Sequence, residues 1–240
     1  MSHDVVLERF FETLVNGDRP AARAVVQELL DKGVTPDHLL NSLCFPVYEK
    51  IEQLFRADQL TNVGYHLSTR LLRMLIDQVA SKLTVQRPNG KSVFAVCGPS
   101  QSEELAAQIA VDLLEAAGCD VTFCGGGVPG DEVLAQVHER RPDVLLVFAP
   151  AAADLPDVRE MIDRIREIGA VDRTKIVVAA GVFNRAEGLA EEIHCDLWAS
   201  SPLETVDVVM TGALSKHGAK PETVGKIGAR VRGATTRRAA

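Results

Sequence analysis

The hydrophobic period of the chain changes once, across Gln86-Arg87-Pro88-Asn89-Gly90-Lys91, and this break constrains the fold more than any other feature. Before it the apolar residues recur at helical spacing. Val5, Val6, Phe10, Leu14 and Val15 define a first helix that stops at Asn16-Gly17. Asp18 caps a second helix with Pro20 in its first turn, ending at Lys32-Gly33. Thr35-Pro36 opens a third, whose stripe runs Leu39, Leu40, Leu43, Val47, Ile51, Leu54, with Pro46 expected to kink it. A fourth starts near Thr61 and carries Leu67, Leu71, Leu72, Leu75, Ile76 and Val79. Four amphipathic helices with short connections predict a bundle over residues 1–85.

After the linker at 86–91, short β-branched runs alternate with helical segments. Strands are predicted at Ser92–Cys97, Asp120–Cys124, Asp143–Phe148, Lys175–Ala179 and Leu197–Ala199. Helices are predicted at Glu103–Ala117, Asp131–Arg140, Pro156–Ile168, Ala186–His194 and Leu203–His217. This alternation predicts a doubly wound, five-stranded parallel α/β domain over 92–218, followed by a tail at 219–240. The near-continuous apolar strands fit a sheet covered on both faces. A ligand site is then expected beyond the carboxyl ends of the strands.

The totals remove several classes. A net charge of −7 disfavours direct nucleic-acid binding, and the basic cluster Arg230, Arg232, Arg237, Arg238 reads as a solvated end. No apolar run is long enough for a membrane span, and the first residues lack an export signal, so a cytoplasmic location is expected. Five cysteines without CxxC spacing argue against a disulfide framework or zinc site. Cys124-Gly125-Gly126-Gly127 lacks the Lys-Ser/Thr of a phosphate loop, and no nucleophile–base set is evident, so an enzyme is not expected.

Several stretches carry a resemblance. Leu113-Leu114-Glu115-Ala116-Ala117-Gly118, then a strand, Gly125 and Val128-Pro129, are similar to the first helix, second strand and G-x-x-V-P turn of cobalamin-binding domains. Arg141-Pro142-Asp143-Val144 resembles their entry to strand three. In the bundle, Phe55 and Tyr65-His66 fall at the spacing of the Trp-x9-Glu-His motif of B12-dependent light sensors. The layout thus resembles cobalamin-binding modules of methionine synthase, corrinoid methyl carriers and those sensors, including photocobilins.

The resemblance implies a tetrapyrrole between bundle and sheet, with Phe55, Tyr65 and His66 facing its upper side. Other implied contacts are Ser100, Ser102, Glu103, Leu105, Gln108, Phe148, Ala149, Pro150, Gly181, Phe183 and Ser200, with Ser201 and Arg185 as further polar candidates. The family's Asp/Glu-x-His-x-x-Gly segment is altered: Leu105 stands at the ligand position and Gln108 at the glycine. Phe148-Ala149-Pro150 replaces the Ser-x-Leu stretch, and Ala179-Ala180 replaces the paired glycines, with Gly181 following. A carrier using a lower histidine is therefore not expected.

The expectation is a regulatory or light-sensing protein that binds cobalamin, adenosylcobalamin being the natural form, with biliverdin as a possible companion or replacement. His66 is a candidate cobalt ligand or upper-face contact, against the alternative of a core-edge histidine hydrogen-bonded to a carbonyl. Cys97 and Cys124 could attach a bilin, against the alternative of small hydrophobes in the core. The signal would pass to a downstream protein or to self-association. A cofactor-free scaffold and a corrinoid methyl carrier remain the other readings.

Overall fold

The computed structural model describes residues 3–98, 105–149, 152–169, 173–185 and 188–212. The cap begins with α1 (His3–Val15) and α2 (Arg19–Asp31). The Asp18 carboxylate accepts from the Ala21 N–H at 3.0 Å, and Gly17 takes φ 66° in the preceding turn. A third rod follows without a break: α3 (Pro36–Leu39), a π-helical turn (Leu40–Cys44) and α4 (Phe45–Arg56). The expected kink at Pro46 is taken up by that turn, where the Phe45 N–H bonds back to Leu40. A widened turn accommodates the proline ring, which could not follow a regular α-turn. The last cap helix, α5 (Asn62–Ala80), is opened by Thr61, whose hydroxyl accepts from the Gly64 N–H at 3.1 Å.

The α/β domain consists of β1 (Ser92–Cys97), α6 (Leu105–Ala116), β2 (Asp120–Phe123), α7 (Gly130–Arg140), β3 (Val144–Phe148), α8 (Leu155–Ile168), β4 (Lys175–Ala179), α9 (Leu189–Glu192), β5 (Leu197–Ala199) and α10 (Pro202–Thr211). Short 3-10 turns occupy Ala152–Asp154 and Gly181–Asn184. All strands are parallel, in the order β2-β1-β3-β4-β5. The chain reverses winding direction between β1 and β3, which opens a crevice at their carboxyl ends. Two elements are shorter than expected. α9 spans four described residues, and α10 stops at Thr211 rather than His217 because Gly212 takes a left-handed cap.

Alternation along the strands assigns the two faces. Val93, Ala95, Cys97, Leu146, Phe148, Val177 and Ala179 face α6 and α10, in one core that continues into the cap. Phe94, Val96, Leu145, Val147, Ile176 and Val178 face α7 and α8 in a second core. The cap therefore sits on the α6 side, where α4 and α5 both pack on α6. The linker is bound to the end of α6: Gln86 N–H donates to Ala116 O at 2.7 Å and Asn89 N–H to Gly118 O at 2.9 Å. These bonds satisfy carbonyls that the helix end leaves open. Gly118 permits the approach, since a Cβ there would lie 2.3 Å from the Arg87 oxygen.

Candidate functional site

A cleft lies where α4 crosses the carboxyl ends of β1, β3 and β4. Its floor is Cys97, Phe148, Ala149, Ala179 and Gly181, and its side wall is Ala106 and Ala107 at the start of α6. Its roof is Tyr48, Glu49, Glu52 and Arg56, and Arg185 closes one end from the turn after β4. The cleft holds about 360 Å³, its open mouth included. Floor and side wall are apolar, with small residues ending β4 and beginning α6. The roof is polar because Tyr48, Glu52 and Arg56 recur every fourth residue and share one helix face.

The roof charges neutralise one another. Arg56 donates to Glu52 at 3.0 Å, and Tyr65 on α5 donates its hydroxyl to the other Glu52 oxygen at 2.7 Å. Burial holds the Glu49 carboxyl above its ordinary range, while Arg56 and Arg185 pull it down. Arg185 is drawn below the usual guanidinium range by burial of its inner atoms and by Arg56, with Glu49 and Glu52 opposing.

The expected site residues separate into groups. Phe148, Ala149 and Gly181 line the cleft floor, and Arg185 its end. Phe55, Tyr65 and His66 form one aromatic cluster beside the roof: Phe55 stacks on Tyr65 at 4.0 Å, and His66 meets Tyr65 edge-on at 5.6 Å. His66 is exposed, whereas Tyr65 is buried. Leu105 is fully buried in the core beneath the cap, one residue before the two alanines of the cleft wall. Gln108 turns along α6 to donate to Asp112 at 3.0 Å. Phe183 packs in the core on the opposite face of the sheet. Ser200 lies past β5 and is engaged by the Glu204 carboxylate through both its amide and its hydroxyl. Ser201 caps α10, its hydroxyl accepting from the Glu204 N–H at 3.2 Å, and Ser100, Ser102, Glu103 and Pro150 lie outside the described residues.

Of the two cysteines considered for attachment, Cys97 lines the cleft and Cys124 is exposed beyond β2. Tyr48, Glu49, Glu52 and Arg56 were not anticipated. The four-residue spacing of Tyr48, Glu52 and Arg56 was visible in the sequence, but the partner of that helix face was not. The sequence has no histidine between His66 and His138, so the segment joining β1 to α6 offers no imidazole to a metal. Among the described residues no group of three or more His, Cys, Asp or Glu is placed to hold a metal ion, and no helix is long and apolar enough to cross a membrane.

The enclosed space amounts to only about 20 Å³, room for a single water, so the cleft as it stands is closed to a ligand the size of a tetrapyrrole.

Comparison with known proteins agrees with this layout. The family model described as a B12 binding domain matches residues 6–79 in its helical form, and a second model of the same description matches 91–207. No curated protein sequence shows a significant match. The structure of the monomethylamine corrinoid protein of Methanosarcina barkeri has a TM-score of 0.78 at 14% identity, covering 88% of this chain and 100% of that one. The methanol:cobalamin methyltransferase complex MtaBC of the same organism gives a TM-score of 0.48 at 15% identity, over 95% of this chain and 84% of that one. A cobalamin-binding protein from Desulfitobacterium hafniense DCB-2 gives 0.47 at 18% identity, over 86% and 98%. At these identities the structural likeness concerns the fold alone. With helical cap and α/β domain both matched across most of its length, the chain belongs to the B12-binding domain family.

Proposed function

We propose that this chain binds cobalamin between α4 and the carboxyl edge of the sheet, without a histidine from the β1–α6 segment, and works as a cap-gated regulatory protein. One observation carries the reading: the cleft lies at the winding reversal of the sheet and is roofed by a helix whose polar face points into it. Bound cobalamin would supply a cobalt centre whose upper ligand can be exchanged or photolysed. The chain's own part is mechanical and electrostatic. Phe148, Ala149 and Ala179 offer an apolar floor and exclude water. Arg185 attracts Glu49 across the cleft, and a ligand that comes between them would shift the cap relative to the sheet.

The Phe55, Tyr65 and His66 cluster favours a sensing role, because it adjoins the roof and would move with it. Arg56 and Arg185 favour a second ligand, a bilin with two propionates, once they are released from Glu49 and Glu52. A corrinoid methyl carrier is the competing role. Protein loaded with adenosylcobalamin in the dark and then illuminated separates them. A light-dependent change in hydrodynamic radius supports the sensor. An unchanged radius, with methyl transfer from methylcobalamin to a thiol acceptor accelerated by the protein, supports the carrier.

A further inference from the structure

We propose that Asp112 makes the docking of the cap onto the α/β domain dependent on proton concentration. The inference concerns protein without any corrinoid and does not rest on the ligand proposed above. Asp112 lies on α6, in a cavity between the end of α5, the linker and α6, lined by Asp77, Ser81, Leu83, Val85, Glu115 and Ala116 among others. One carboxylate oxygen accepts from Gln108 Nε2 at 3.0 Å. The other is buried and meets no hydrogen-bond donor. A buried carboxylate oxygen without a donor is costly while charged and cheap once protonated.

The surrounding charges act in the same direction. Asp77 faces Asp112 from α5, and Glu115 faces it from one turn along α6. Arg73, Lys82 and Arg87, the cations nearest along the facing segments, do not line this cavity. Burial, chiefly, and then the two neighbouring carboxylates raise the Asp112 carboxyl from 3.8 to about 6, against the Gln108 bond. The docked state therefore holds a proton that the undocked state releases. The Asp112 contribution to docking is full below pH 3.8 and is lost as the pH rises through about 6, above which it no longer changes. The linker lies over the same junction, through Gln86 to Ala116 O and Asn89 to Gly118 O, so its release reports undocking.

The test is cleavage of corrinoid-free protein by proteinase K within residues 81–91, at pH 5 and pH 7.5. Each rate is divided by that of a synthetic peptide of the same sequence, which removes the protease's own pH dependence. The normalised rate is expected to rise roughly three- to tenfold from pH 5 to 7.5, the lower figure allowing for solvent screening at the partly exposed carboxyl. In Asp112→Asn most of that rise is expected to vanish, the remainder belonging to Glu49, whose carboxyl burial also raises at the cap junction. An equal rise in Asp112→Asn, or no rise in the unaltered protein, overturns the proposal. Should Asp112→Asn fail to fold, Asp77→Asn serves: its midpoint moves to lower pH, and an unmoved midpoint overturns the proposal.

Discussion

Tyr65 on α5 donates its hydroxyl to Glu52 on α4 at 2.7 Å while its ring lies against Phe55 at 4.0 Å. One side chain thus ties the two cap helices together through both a charge-assisted bond and a stack. Tyr65→Phe keeps the stack and loses the bond. It is expected to cost about 1.5–3 kcal/mol by urea denaturation, as for a hydrogen bond to a charged group. An unchanged midpoint would show that Glu52 needs only Arg56.

Arg185 is the cation that the α/β domain presents to the cap carboxylates. In Arg185→Ala, Glu49 stays buried but loses one of the two cations that oppose its upward shift. Its carboxyl is expected to titrate higher than in the unaltered protein, followed by carbon-detected NMR of the glutamate side chain. A lower value would contradict the arrangement. Linkage follows: a carboxyl raised by docking makes docking weaken as the pH climbs past its ordinary range of about 4.

Ala180 follows β4 with φ 51° and ψ −158°, a backbone region that glycine occupies and other residues avoid. Its neighbour Ala179 has ordinary strand geometry, and both are fully buried. Replacing either by glycine loses one methyl group, but only Ala180→Gly also relieves strain. Ala180→Gly is therefore expected to be about 1–3 kcal/mol less damaging than Ala179→Gly in chemical denaturation. Equal effects would refute the strain.

Leu105 has no exposed surface and packs under the cap. Leu105→Ala is expected to cost about 2–5 kcal/mol of stability. Once folded, the variant should leave the absorption spectrum of added cobalamin as in the unaltered protein, because the side chain lies outside the cleft lining. A changed spectrum with unchanged stability would place it at the ligand instead.

Features set by local chemistry were legible in the sequence. Asp18 and Thr61 cap helices because their side chains reach the next turn, and the strands of the α/β domain follow from short β-branched runs between turn residues. Features set by helix phase or docking were not. The π-turn before Pro46 depends on how the rod absorbs a missing donor. Phe183 falls on the far face because a 3-10 turn interrupts strand alternation. The roof residues Tyr48, Glu49, Glu52 and Arg56 stand on a polar helix face that reads as solvated until its partner is known.

Spectral titration of the purified chain with hydroxocobalamin tests the central claim most directly, paired with Ala106→Phe, which narrows the cleft wall. Saturation at one corrinoid per chain, weakened tenfold or more in the variant, is the predicted result. No spectral change at any concentration, or equal affinity in both proteins, would contradict a corrinoid held between α4 and the sheet.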